Sequence, residues 1–347
     1  MLNNRFFDLR QYICFLCVFT ALILLVGCSG ETDSASSSTQ TLESDAGSTG
    51  ESGSSKGVTK VEPDKTIALV MKTLTNPFFI EMEKGARLAE EELGVRLLVR
   101  TAAQETSIQQ QIGIVEELVR KKVDAIVIAP GDSVELIPVL KQAQDAGIIV
   151  INIDNRLDPE YSKVVGLSGV PFISVDNEQA AYFVTQALTK QITQPTSVAI
   201  LEGIREAENS EQRKNGALRA FNDQPLASVV AIQAAHWKID EGYEVTKNLF
   251  DVYPDIKAIF CANDMMALGA IKYLQSTNRK DVHIAGYDAL TQAKEAIKDG
   301  TMLATVDQQA AEQGYQGVLF AHRALIGERL PSVILIDTKI LTIENMQ

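Results

Sequence analysis

The side chains able to do chemistry in this 347-residue sequence follow short apolar runs. Lys72 and Thr75-Asn76-Pro77-Phe78-Phe79 come after 67–71, Asp132 and Ser133 after 125–129, and Asp154, Asn155 and Arg156 after 148–153. Further on, Gly203 follows 198–201, with Arg213 ten residues later, and His236 and Trp237 follow 229–233. Asn263 and Asp264 follow 258–261, Tyr287 and Asp288 follow 282–285, and Asp307 and Gln308 follow 303–306. Amides, carboxylates and a guanidinium can donate to and accept from hydroxyl groups, while an aromatic face covers the C–H side of a sugar ring. That chemistry is recognition of a neutral polyhydroxylated molecule.

The parts of common catalytic sites are missing from the sequence. No Gly-rich phosphate loop follows a strand, and no GxSxG motif is present. His236, His283 and His322 lack metal-ligand spacing, so no cofactor and no enzymatic activity are expected. Asp154 and Asp288 form a conceivable acid and base pair, but nothing in the sequence sets their proton affinities apart. A net charge of −13 argues against nucleic acid as a partner.

Several residues carry a second reading. Asp132, Ser133 and Asp264 stand just before helical stretches, where N-capping competes with ligand contact. Asp176 is placed to cap a helix starting near 178, and His236 reads as a satisfied loop residue. Arg213 either pairs with Glu208 or Glu211 on a solvated helix face or enters a cleft. Cys261, inside an apolar run, reads as a small buried hydrophobe.

The elements that position these residues alternate. Apolar runs at 67–71, 96–99, 125–129 and 148–153 are separated by helical periodicity over 78–93, 108–120 and 133–146. Continuous apolar runs between helices indicate strands buried on both faces of a parallel sheet. The pattern restarts with strands at 198–201, 229–233, 258–261, 282–285 and 303–306, and helices near 178–190, 211–222, 239–250, 264–276 and 290–299. A helix near 309–326 and one strand near 333–341 finish the chain. Two such series mean two similar doubly wound α/β lobes, with a break between Asp154 and Asn177 where Pro159, Gly166, Gly169 and Pro171 interrupt the rhythm. Ligands of such sheets bind beyond the carboxyl ends of the strands, where the polar residues stand.

The first 64 residues differ. Arg5 and Arg10 precede an apolar stretch from Tyr12 to Val26, a pattern of bacterial export signals. Leu25-Val26-Gly27-Cys28 resembles the lipobox of bacterial lipoproteins, which implies cleavage after residue 27 and a lipid on Cys28 that ties the protein to a membrane outside the cytoplasm. Residues 29–57 are nearly all Ser, Thr, Gly, Glu and Asp, a composition that forms no core. The tether, residues 28–63, has a reach of roughly 30–35 Å.

From residue 64 onward the chain resembles the periplasmic binding proteins of the ribose- and galactose-binding group, which serve ABC importers. The likeness lies in Thr66-Ile67-Ala68-Leu69-Val70 leading to Asn76-Pro77-Phe78-Phe79, then Val123-Asp124-Ala125-Ile126-Val127-Ile128 and Ile153-Asp154. It continues in Val175-Asp176-Asn177, Ala262-Asn263-Asp264, Ala267-Leu268-Gly269-Ala270, Gly286-Tyr287-Asp288 and Ala304-Thr305-Val306-Asp307-Gln308. The resemblance implies a periplasmic binding protein type I fold with three crossovers near 175–177, 308–309 and 337–338. It assigns 64–175 plus 309–337 to the first lobe and 176–308 plus 338–347 to the second.

Its implied ligand contacts are Asn76, Phe78, Phe79 and Asp154 from the first lobe, Arg213, Trp237, Asn263 and Asp288 from the second, and Gln308 at the hinge. The ribose binders follow the first-lobe aspartate with arginine, where this chain has Asn155 and then Arg156. Lys72 replaces a small residue and brings a cation to the cleft, so Lys72 and Asn155 join the candidate contacts. The segment between Asp154 and Asp176 is also longer than in the ribose binders. These departures keep another sugar, a polyol and a modified sugar open beside ribose. The implied partners are an ABC permease and the membrane that holds the Cys28 lipid, with the binding protein itself a monomer. A sensory receptor presenting a sugar-like signal to a chemoreceptor or histidine kinase uses the same cleft and stands as the alternative.

Overall fold

The structure is a computed structural model and describes residues 65–346. The export segment, Cys28 and the tether lie outside the described residues. In chain order the first elements are β1 (Thr66–Met71), α1 (Pro77–Leu93), β2 (Arg96–Thr101), α2 (Ile108–Lys121), β3 (Ala125–Ile128), α3 (Ile137–Asp145), β4 (Ile149–Ile153), α4 (Pro159–Val165) and β5 (Phe172–Ser174). There follow α5 (Asn177–Thr189), β6 (Thr196–Glu202), α6 (Glu208–Asn222), β7 (Ala227–Ala234), α7 (Ile239–Val252), β8 (Ile256–Cys261), α8 (Asp264–Ser276), β9 (His283–Ala285), α9 (Thr291–Lys298) and β10 (Ala304–Asp307). The chain ends with α10 (Ala310–Leu325), β11 (Val333–Leu335) and β12 (Lys339–Thr342).

Two six-stranded sheets result, in the orders β11-β5-β4-β3-β1-β2 and β12-β10-β9-β8-β6-β7. The first is parallel throughout, and in the second only the β10–β12 pair is antiparallel. The doubly wound two-lobe architecture expected from the alternation is the one observed. All four residues of Ala125–Ile128 are buried, as an unbroken apolar strand between helices requires. Cys261 is a buried free thiol in β8. The helices α1 and α10 approach closely through glycine: a Cβ on Gly85 would lie 1.8 Å from Ala311 O, and one on Gly314 would lie 2.0 Å from Met82 O.

The chain passes between the lobes three times, at 175–176 between β5 and α5, at 308–309 between β10 and α10, and at 336–338 between β11 and β12. Gln309 has φ 53° and donates from Nε2 to Asp337 O, which joins the second passage to the third.

Three expectations change. The segment 154–177 is not simply a break, because it contains α4 and β5. Asp158 caps α4 by accepting from Tyr161 N, Pro159 takes the first helical position, and Gly166 ends the helix in the left-handed region. The residues that read as breakers are start and stop signals. The last strand is two, β11 in one sheet and β12 in the other. The helix expected over 133–146 starts at Ile137, because the Asp132 carboxylate holds a turn by accepting from Val134 N and Glu135 N.

Candidate functional site

Both sheets point their carboxyl ends at one small pocket between the lobes. Its walls are Lys72, Asn76, Phe78, Phe79, Glu105, Asp154, Asn209, Arg213, Trp237, Asn263, Asp288 and Gln308. Ten of the eleven candidate contacts are thus brought together, while Asn155 is not on the wall. The lobes are closed, and Lys72, Asp154, Arg213 and Asp288 are each no more than 3% exposed.

On the first-lobe side, Asn76 caps α1 by accepting from Phe78 N at 3.1 Å, and Pro77 opens the helix. This turn aims the Phe78 and Phe79 rings at the cavity, edge to face with centroids 5.1 Å apart. Asn76 Nδ2 donates to Glu105 Oε1 at 3.0 Å. Burial pushes the Glu105 carboxyl up to about 7, against the pull of Lys72 and the Asn76 amide. Lys72 Nζ lies 2.8 Å from Asp154 Oδ2, in an ion pair whose geometry leaves that oxygen without a hydrogen bond. Asp154 has φ 65°, so the chain turns sharply after β4. Arg156 ends 5.5 Å from the Phe172 ring centroid, outside the cavity, and the cation beside Asp154 is Lys72.

The second lobe centres on Arg213, on the inner face of α6. Its partners are neither Glu208 nor Glu211. Nε donates to Asn177 Oδ1 at 2.9 Å, Nη1 to Ala262 O at 2.9 Å, and Nη2 to Gln308 Oε1 at 3.3 Å. The guanidinium lies 3.7 Å from the Tyr287 ring centroid and 5.5 Å from that of Trp237. Asp288 Oδ1 is 3.7 Å from Nη1 and accepts from Gln308 Nε2 at 2.6 Å. Burial pushes the Asp288 carboxyl up, against the attraction of Arg213.

Trp237 lies flat against Gly203, where an added Cβ would fall 2.1–2.3 Å from ring atoms. His236 and Trp237 both have positive φ, and the His236 ring pairs with Glu241. The Trp237 indole N–H and Asn209 Oδ1 are buried without partners. Asn263 caps α8 through Met266 N and donates to Trp237 O at 3.2 Å.

Asp264 is not the cap that the sequence suggested. It is the first residue of α8, fully buried, and accepts from Thr305 Oγ1 at 2.7 Å and Leu290 N at 2.9 Å. Ser133 caps no helix of its own lobe, and its hydroxyl accepts from Glu208 N at 3.0 Å. Asn155 lies behind the wall, accepting from Asn209 N at 3.2 Å. Sequence reasoning missed Glu105 and Asn209. Glu105 follows β2, a strand end like the others, and Asn209 precedes Arg213 by four residues on the same helix face.

Among the described residues no three His, Cys, Asp or Glu side chains are grouped to hold a metal ion. The wall offers planar donors and acceptors, two cations balanced by carboxylates, and three aromatic rings. That set can pair ring hydroxyls and cover a ring face.

Known proteins share this design. A family model described as a periplasmic binding protein domain matches residues 67–329. The D-ribose/D-allose-binding protein of Pseudomonas aeruginosa is 41% identical over 270 residues, 77% of this chain and 84% of that protein. The D-allose-binding periplasmic protein of Escherichia coli is 33% identical over 256 residues, 72% of this chain and 81% of that protein. An ABC transporter periplasmic solute-binding protein from Actinobacillus succinogenes, solved with bound D-allose, superposes with a TM-score of 0.77 at 38% identity, covering 81% of this chain and 98% of that one. This chain belongs to the periplasmic binding protein family, among the extracytoplasmic sugar-binding proteins of ABC importers.

Proposed function

We propose that this protein captures a neutral monosaccharide of the allose and ribose kind between its lobes and delivers it to an ABC permease. The observation that carries the reading is the wall itself. Arg213, Asp288, Asn263 and Gln308 from one side face Asp154, Lys72, Asn76 and Glu105 from the other, with Phe78, Phe79 and Trp237 between them. A pair of lobes contributing to one pocket binds by closing, and a ligand that touches both favours the closed state. The moving bodies are 64–175 plus 309–337 and 176–308 plus 338–347, turning about the three passages. Lys72 beside Asp154 sets this site apart from one built for ribose alone, and the relatives named for allose support an aldohexose.

The membrane attachment is the lipid on Cys28, with residues 28–63 as tether and a monomeric binding unit at its end. The protein is a receptor rather than an enzyme, and no observation favours a sensory role over delivery. The test is a thermal-shift and calorimetric screen of residues 57–347, which form one compact unit, against D-allose, D-ribose, other aldoses and polyols. A ligand at about 100 times its Kd adds roughly 2.7 kcal/mol of stability. One or two strong hits among the aldoses are expected, and a silent panel would refute the reading.

A further inference from the structure

The helix α6 delivers Asn209 and Arg213 to the cavity, and its N-terminus is built unlike those of α1, α4, α5 and α8. In those four the preceding residue caps the first turn: Asn76 accepts from Phe78 N, Asp158 from Tyr161 N, Asp176 from Gln179 N and Asn263 from Met266 N. Ala207 precedes α6 and has no side-chain oxygen to offer. Ser210 N and Glu211 N turn back to Ala207 O at 3.0 and 3.3 Å. The first two donors are satisfied from the other lobe, Glu208 N by Ser133 Oγ at 3.0 Å and Asn209 N by Asn155 Oδ1 at 3.2 Å. Asn155 Nδ2 donates to Pro130 O and Ser133 Oγ, which leaves its oxygen facing Asn209. Ser133 N also donates to Glu206 O at 3.0 Å, closing the seam.

We infer that Ser133 and Asn155 are positioning residues for sugar binding, because they cap α6 across the cleft and the helix that carries Arg213 gains its N-cap only when the lobes close. The inference rests on the proposed closure around a sugar. An uncapped first turn leaves donors to water and loosens the turn they start. That turn holds Asn209, and Arg213 follows one turn later. Capping and ligand contact at Arg213 therefore favour the same state, and each strengthens the other. The departure at position 155 gains a physical reason, since a short amide supplies the acceptor that a guanidinium lacks.

The test compares Ser133→Ala and Asn155→Ala with the wild type in residues 57–347. Both hydrophobic cores of this unit are built from described residues alone, so it carries what it needs to fold. Calorimetry with the sugar found in the screen should give a Kd about five-fold weaker for each alanine variant, the effect of one lost cap. The unliganded melting temperature of Ser133→Ala should stay unchanged, because the open form lacks its bond to Glu208 N, whereas Asn155→Ala also gives up its bond to Pro130 O within the first lobe and should melt lower. Amide hydrogen exchange by NMR separates the two caps: with sugar bound, Ser133→Ala should expose Glu208 N while Asn209 N stays protected. A merely structural role would lower the unliganded melting temperature of Ser133→Ala as well and would not select one amide.

Alanine variants that bind within two-fold of the wild type, or keep both amides protected, would overturn the inference. Should the wild type bind no sugar, the delivery reading fails, and the closure on which this inference rests falls with it.

Discussion

Glu105 should make sugar affinity depend on pH. In the closed form its carboxyl is buried beside Asp154, with Lys72, Arg213 and the Asn76 amide as the opposing influences, and its proton is held up to about 7. When the lobes part, solvent reaches the group and it ionises in the ordinary carboxylate range. A rise from 4.5 to about 7 corresponds to about 3 kcal/mol against ionisation in the closed state. The closed form binds the proton more tightly than the open form. Closure is therefore unaffected by this group at low pH, loses ground as the open form ionises above 4.5, and reaches a constant penalty above 7.

Glu105→Gln keeps an acceptor for Asn76 Nδ2 but removes the titration. Asp264 and Asp288 are common to both proteins and cancel in the comparison. From the linkage relation, the ratio of wild-type to Glu105→Gln Kd should grow about 70-fold between pH 5 and pH 8. Titration calorimetry at four pH values reads this ratio. Near pH 6, repeating both titrations in two buffers of different ionisation enthalpy should show uptake of close to one proton more for the wild type than for Glu105→Gln. A ratio that stays within two-fold across the range, or proton release instead of uptake, would refute the reasoning.

Three further outcomes are expected. Arg213→Lys cannot reproduce the fork to Asn177, Ala262 and Gln308 or the stack on Tyr287, so sugar Kd should weaken by about 100-fold or more; calorimetric binding within ten-fold of wild type would count against it. Gly203→Ala places a methyl inside the Trp237 ring and should shift the emission of the chain's single tryptophan to the red, with at least a ten-fold loss of affinity. An unmoved spectrum would show that the ring does not need this glycine. Cys28→Ser should abolish labelling by radioactive palmitate in cells and free the protein from the membrane fraction, and persistent labelling would exclude Cys28 as the lipid site.

The apolar runs made the sheets legible, because a strand buried on both faces has no polar residue to blur it. The polar residues after those runs were legible for the same reason, as topology fixes which end of a parallel sheet faces the cleft. Glu105 was within reach of this argument, since it follows β2. What the sequence hid depends on local dihedrals and on distant pairing. The chain turns sharply at Asp154, where φ is 65°, and Asn155 beyond the turn reaches the seam rather than the wall. Ser133 caps a helix whose first residue is 75 positions further on, a relation that no local pattern carries. Pro159 and Gly166 misled because the same residues that interrupt one helix begin and end another.

The placement of strain fits a site that must recognise and move at once. Among the described residues eight non-glycine residues have positive φ, and six of them, Asp154, His236, Trp237, Asp288, Ala289 and Gln309, stand at strand ends facing the cleft or at a passage between the lobes. Such conformations cost about 1 kcal/mol or more each and persist only where the surroundings fix them. Asp154, Trp237 and Asp288 thereby present their side chains to the pocket, while Gln309 ties the second passage to the third. Arg213 adds the mechanical link. Its Nε holds Asn177, next to the first passage, and its Nη2 holds Gln308, in the second. The group best suited to grip a ring hydroxyl is thus braced against two of the three connections about which the lobes turn. A ligand pulling on that guanidinium acts on the hinge through two hydrogen bonds, with no chain of intermediate side chains to carry the signal.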